Sequence, residues 1–164
     1  MSLNIQQFER SIVAERRIRY AKEKQELMRR LLSSEDGTGP FRTQADVLAF
    51  AASLGAHRKR REPLPEALGE PIRQEVFDRQ GYDTLICLVA VEAEKSPAVL
   101  EDSEEMIARR SEIFEEYANG GLAIIANETR GDVNLSQAVL LMISSLRKRA
   151  ESDTQVLDLS RLRI

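Results

Sequence analysis

The chain of 164 residues has one cysteine, one histidine, no tryptophan and only 5% aromatic residues. Each shortage excludes a class of chemistry. A lone Cys87 permits no internal disulfide. Its place in the apolar run "LICLVAV" reads as core rather than as a reactive thiol. A lone His57 leaves no two-histidine zinc site and no HExxH helix. A Cys–His pair would have to join a buried pattern to a charged one. The stretch "GTGPFRT" lacks the lysine and the spacing of a P-loop. No apolar run approaches about 18 residues, so no membrane span is expected. "MSLNIQQFERSIVAERR" has no apolar stretch behind its charges, so no secretory leader is expected either. A reducing, cytoplasmic setting follows as the expectation. The expected protein is therefore not an enzyme and has no catalytic residues, cofactor or metal ligands.

Strand signals are nearly missing as well, since no alternating β-branched run meets a hairpin turn. Helical patterns are plentiful. With 42% hydrophobic and 31% charged residues, the expectation is a single compact all-α domain over 1–164, with five to seven helices. Residues 1–15 are expected to fray and 151–164 to form a tail that frays or docks its leucines. A sparse first helix is expected from about Ile5 to Leu32, ending in "SSEDGTGP". Thr43 with Asp46 predicts a capping box for a second helix, and Gly55 is placed to end it as a C′ residue. Pro71 fits the first turn of a short helix that turns Ile72, Val76 and Phe77 inward. Tyr82 to about Lys95 reads as the central buried helix, with a strand as the alternative for "LICLVAV". Asp102 with Glu105 opens a helix to about Asn119, and Gly120-Gly121 marks a turn or kink. Asn134 with Gln137 caps a last helix to about Arg149.

Charge is uneven along the chain. Residues 1–61 hold 13 Lys/Arg against 7 Asp/Glu, while 62–164 hold 11 against 20. The halves thus carry +6 and −9, summing to the net −3 of the chain. Such a split suits a basic binding face or head-to-tail self-association. The sharpest feature is the basic run Arg58-Lys59-Arg60-Arg61, placed just past a helix C-terminus where cations suit the dipole. Locally only Glu62 and Glu66 can pair with it, so the rest should face water or an anionic partner. Four phosphate contacts would give a log–log salt slope near −0.9 × 4, or roughly −3.6. Arg16, Arg17, Arg19, Lys22, Lys24, Arg29 and Arg30 form a second basic source. Glu104, Glu105, Glu112, Glu115 and Glu116 form an acidic stripe, which reads as a solvated face before it reads as a cation site.

Three stretches are more specific than composition. "GPFRTQADVLAFAASLGAHRKRREPL", "GEPIRQEVF" and "IFEEYANGGL" occur in this order, and together they resemble the dnd system-associated protein 4 family. These small bacterial proteins accompany DNA phosphorothioation genes, whose products replace a non-bridging phosphate oxygen by sulfur, and linked restriction systems. The helix order over Asp46–Leu54, Arg58–Pro65, Ile72–Phe77 and Tyr82–Val91 is similar, more weakly, to the DndE subunit of the same machinery. The segment from Ser96 onward departs from that subunit. The resemblance implies a bacterial defence context, protein partners within that system and no transferable catalytic residue.

The expected function is a non-enzymatic accessory DNA-binding or regulatory protein of that system. Arg58, Lys59, Arg60 and Arg61 would meet the backbone of double-stranded DNA, with His57 and Arg42 in lesser roles. Leu54, Ala56 or Leu64 could offer an apolar contact to a phosphorothioate sulfur. The alternative is a protein–protein adaptor without DNA contact, working through the acidic helix 103–117. A homo-oligomer is compatible with either, and a membrane partner with neither.

Overall fold

A computed structural model describes residues 16–33 and 39–155, with side chains through Arg149. The expectations for residues 1–15 and for the tail beyond 155 lie outside the described residues. The described chain is mainly helical, with one two-residue ribbon. In order it runs β1 (Arg17–Ile18), a 3-10 turn (Lys22–Lys24), α1 (Gln25–Leu31), α2 (Gln44–His57), β2 (Ile72–Arg73) and α3 (Gln74–Arg79). It continues through α4 (Asp83–Glu94), a second 3-10 turn (Pro97–Leu100), α5 (Glu104–Glu128) and α6 (Leu135–Gln155).

Within the described residues, the first expected helix is realised only over Gln25–Leu31. Residues 16–21 are extended, because their backbone is claimed by a distant segment. Gln74 N–H donates to Arg16 O (2.9 Å), Gly69 N–H to Tyr20 O (2.9 Å) and Lys22 N–H to Ala67 O (3.0 Å). Pro71 does not open a helix either. It precedes β2, and α3 begins only at Gln74, with Phe77 buried beneath it.

Thr43 forms the predicted capping box: its hydroxyl accepts from Asp46 N–H and the Asp46 carboxylate accepts from Thr43 N–H. Asn134 likewise caps α6 by accepting from Gln137 N–H at 3.0 Å. Ser103, one residue after the expected Asp102, caps α5 by accepting from Met106 N–H at 3.2 Å.

The central helix is α5, not α4. "LICLVAV" is helical, but only Ile86, Val89 and Ala90 of α4 are buried, and Leu88 is 62% exposed. α5 instead runs unbroken through Gly120-Gly121, with the span 118–125 buried. α2 packs along α5 more extensively than any other pair of elements. The glycines explain the closeness. A Cβ on Gly121 would lie 1.8 Å from Ala51 O, and one on Gly55 would lie 2.1 Å from Tyr117 O. The glycines predicted to punctuate helices are therefore the smooth faces through which two helices touch. Phe114 of α5 meets Phe77 edge-on at 5.7 Å, tying α3 to the same core. α6 closes the cluster with buried Leu135, Val139 and Met142.

Candidate nucleic-acid interface

The basic run sits in the turn that ends α2. Arg60 N–H donates to Gly55 O (2.8 Å) and Lys59 N–H to Ala56 O (3.1 Å). This is the paired bonding of a Schellman cap, which requires its C′ residue in the left-handed region. That residue is Lys59, at φ 53°. Glycine is the usual occupant, because a Cβ crowds the following carbonyl there. Gly55, expected to be C′, lies within the helix and supplies the accepting carbonyl.

Three of the four cations are engaged inside the chain. Arg61 donates Nε and Nη2 to one Glu116 oxygen at 2.5 Å and lies over the Tyr117 ring at 5.8 Å. Arg60 donates through Nε to Glu62 at 2.6 Å. Arg58 reaches Glu128 through Nη2 at 3.4 Å, while its buried Nε has no partner. Lys59 and His57 are exposed, and neither makes a side-chain hydrogen bond or ion pair with a described residue. The local expectation that most of these charges lack acids is thus corrected: Glu116 and Glu128 come from α5, 55 and 70 residues away.

The other candidates separate. Arg42 is exposed but precedes α2, so a 14-residue helix of about 21 Å lies between it and the turn. It lines a cleft of about 390 Å³ with Phe41, Asp46, Phe50 and Tyr82. Tyr82 donates its hydroxyl to Asp46 at 2.7 Å. Burial and then that bond to a carboxylate push its pKa up to about 12. Burial acts upward on Asp46 too, but the bonds from Tyr82 and Thr43 outweigh it and hold this carboxyl below its ordinary value. Leu54 is core, so of the three apolar candidates only Ala56 and Leu64 can be reached from outside.

The second basic source is largely spent. Arg16 pairs with Glu104 (2.7 Å), Arg19 with Glu115 (2.9 Å) and Lys24 with Glu23 (3.0 Å), while Arg29 pairs with Glu26 and Arg30 donates to Asp132 O. Most of the acidic stripe is spent as well: Glu104 holds Arg16, Glu115 holds Arg19, Glu116 holds Arg61 of the basic run, and Glu112 holds Arg109. Glu115 is 2% exposed and also accepts from Arg19 N–H at 2.7 Å. Burial raises its pKa, and the three bonds from Arg19 only partly oppose that. The charge split between the two halves is therefore neutralised to a large extent within one molecule. A cleft of about 640 Å³ lies apart from the turn and is lined by Val99, Met106, Arg109 and Glu112 among others. Its Arg109 is already bonded to Glu94 and Glu112, so the cleft offers little free chemistry.

One set of residues was not read as a site from the sequence. On α5, Glu116 binds Arg61, the Tyr117 ring lies under the same guanidinium, and Asn119 donates Nδ2 to Pro63 O (3.1 Å) and Glu62 O (3.4 Å). Gly120 leaves room for the Arg60 carbonyl, which a Cβ would meet at 2.1 Å. "EEYANGG" is thus the platform on which the basic turn is seated. The sequence signalled this stretch in two ways: it lies within "IFEEYANGGL", and its Tyr, Asn and Gly crowd a helix interior where alanine or leucine would propagate it better.

The chain matches DNA sulphur modification system-associated protein 4 over residues 17–162. The protein belongs to that family. Association with the DNA sulphur modification system follows from the match. No curated protein and no solved structure matches the chain, so the finer likeness to the DndE subunit rests on its helix order alone. Within the family match, the stretches 39–64 and 113–122 that first carried the resemblance are the two sides of the turn–platform contact.

Proposed function

We propose that this family member is a non-enzymatic accessory protein of the DNA sulphur modification system that contacts the phosphate backbone of duplex DNA through the turn His57–Arg61. The observation that supports this most is Lys59. A β-carbon in the left-handed region costs roughly 1–2 kcal/mol, which glycine would avoid. Here the position carries an exposed ammonium that makes no hydrogen bond or ion pair with a described residue, although its charge reaches the Glu92 carboxylate and, behind the bond from Lys95, helps to lower that group's pKa. Lys95 ends α4 in the same conformation, but it is paired with Glu92. Arg60 adds two terminal amino groups, since it bonds through Nε alone. Arg58 and Arg61 act as supports, because a phosphate would have to displace Glu128 or Glu116 to gain them. The turn then offers about two phosphate contacts rather than four, for a salt slope near −0.9 × 2, or about −1.8.

Fluorescence anisotropy on duplex DNA, with and without one phosphorothioate, from about 50 to 300 mM salt tests this. Lys59→Gly is expected to weaken binding while stabilising the fold by about 1 kcal/mol. A glycine variant that binds as well as the parent would sink the proposal for this turn. A sulfur preference would make the protein a reader of the modification, with Ala56 or Leu64 beside the sulfur.

A second reading, an adaptor without DNA contact, is favoured by α6. Its buried face is apolar, yet on its other sides Leu140, Leu141 and Ile143 are 63%, 62% and 44% exposed. Apolar residues around a helix suit protein on more than one side. The acidic segment 103–117 suits this role less than expected, since arginines of the same chain already occupy most of its carboxylates. Retained capture of partner proteins of the system by a Leu140→Ser/Leu141→Ser variant would count against α6 as the docking face.

A further inference from the structure

We infer that Arg17 and Arg73 form a second phosphate-binding point, on the ribbon rather than the turn. This point goes beyond the turn reading and does not depend on it. β1 and β2 pair antiparallel with Arg17 directly opposite Arg73 and Ile18 opposite Ile72. Ile18 is fully buried, so the alternation of a strand turns Arg17 to the other side, and both arginines are exposed. Like charges directly opposite each other destabilise a ribbon. The flanking arginines avoid this problem: Arg16 and Arg19 are matched to Glu104 and Glu115. Arg17 and Arg73 make no side-chain hydrogen bond or ion pair with a described residue.

The ribbon is also held firmly. Gln74 N–H bonds to Arg16 O beside the pair, and Glu115 grips Arg19 by both backbone and guanidinium. Cross-strand neighbours have β-carbons about 4.5–5.5 Å apart, a spacing at which two guanidinium forks can converge on one tetrahedral anion. A phosphodiester offers two non-bridging oxygens, one for each fork. Binding would cancel a repulsion that folding leaves in place, so the anion gains affinity from relief as well as from contact. The ligand class is the phosphodiester of a nucleic-acid backbone, and inorganic phosphate shares its recognised oxygens.

The test follows the Arg17 and Arg73 Nε–H resonances of the full 15N-labelled chain while inorganic phosphate is added against chloride at matched ionic strength. Saturable shifts specific to phosphate are expected; shifts no larger than those with chloride would overturn the site. Arg17→Gln/Arg73→Gln should raise Tm, as the repulsion goes, and should lower the DNA salt slope by up to about 1.8. An unchanged or lower Tm would refute the claim that the pair is held at a cost. Full duplex affinity in this variant, alongside a loss in Lys59→Gly, would restrict DNA to the turn and remove the ribbon as a DNA contact. The reverse pattern would support the ribbon and sink the turn.

Discussion

Gly121→Ala adds one methyl group where α5 crosses α2. In a helix interior the change alone favours folding by about 1 kcal/mol, because alanine loses less backbone freedom. At this crossing the added carbon would lie 1.8 Å from Ala51 O, 2.5 Å from its carbonyl carbon and 2.9 Å from its Cα. All three are backbone atoms of a helix and cannot swing aside. Since a close carbon–oxygen contact needs about 3.3 Å, the helices must part by more than about 1 Å. A gap of that size forfeits roughly a quarter to a half of each dispersion contact along the seam. Overpacking of this kind costs about 1–3 kcal/mol and sometimes more, and this case, on rigid backbone, belongs at the upper end. After the propensity gain we expect a net loss of about 2–3 kcal/mol. At about 2–4 °C per kcal/mol for a chain of this size, Tm should fall by roughly 4–12 °C. Urea and thermal unfolding followed by far-ultraviolet circular dichroism would measure it. The comparison is Ala108→Gly, at an exposed site on the same helix, which should lose only about 1 kcal/mol. A Gly121→Ala protein as stable as the parent, or more stable, would show that the glycine is only a weak helix former and that the close crossing does not depend on it.

Other outcomes are equally specific. Glu115 has a folded pKa above its ordinary value, so its titration contributes stability below about pH 4 that is lost as pH rises through the raised value. Glu115→Gln keeps an acceptor for Arg19 without a titrating proton, and its stability should vary less across the mildly acidic range; superimposable pH curves would contradict this. Glu115→Ala strands the Arg19 N–H and guanidinium at the ribbon, and should cost about 2–3 kcal/mol, the lower end of a broken buried pair because Arg19 is half exposed. In spectrophotometric titration Tyr82 should ionise near pH 12, and Tyr82→Phe should delete that late step. Thr43→Ala removes the capping hydroxyl of α2 and should destabilise by about 1 kcal/mol, read as a shift of the urea midpoint without a change in slope.

What was legible in the sequence was what is decided within a few residues. The caps at Thr43 and Asn134 depend on a side chain and a backbone N–H three positions on, and both stand as predicted. The glycines misled because a glycine within a helical pattern reads as an end, whereas here it records another backbone pressing in from a distant segment. Residues 16–21 were read as helix because nothing nearby shows that the 67–74 segment will claim their backbone. The basic run was placed correctly at the end of α2, but its acids were sought within five residues. Glu62 does pair with Arg60 there, but the acids of Arg58 and Arg61 stand on a helix that begins more than 40 residues later.

The cross-chain ion pairs also bear on the order in which the molecule can assemble. Arg16, Arg19, Arg58 and Arg61 wait for partners 88, 96, 70 and 55 residues downstream. On a ribosome residues 1–61 emerge first, with an excess of +6 and the partner carboxylates of α5 not yet made. The ribbon and the cap of the basic turn use backbone made earlier, but the ion pairs that hold them to the core can form only after α5 has been synthesised out to Glu128. Local helices can form earlier, but the contacts that complete the fold are long-range and so comparatively slow to close. A nascent chain stalled before α5 would already hold 17 Asp/Glu against 16 Lys/Arg, so what the late helix supplies is not neutrality but position: the particular carboxylates that Arg16, Arg19, Arg58 and Arg61 need are the last to be made.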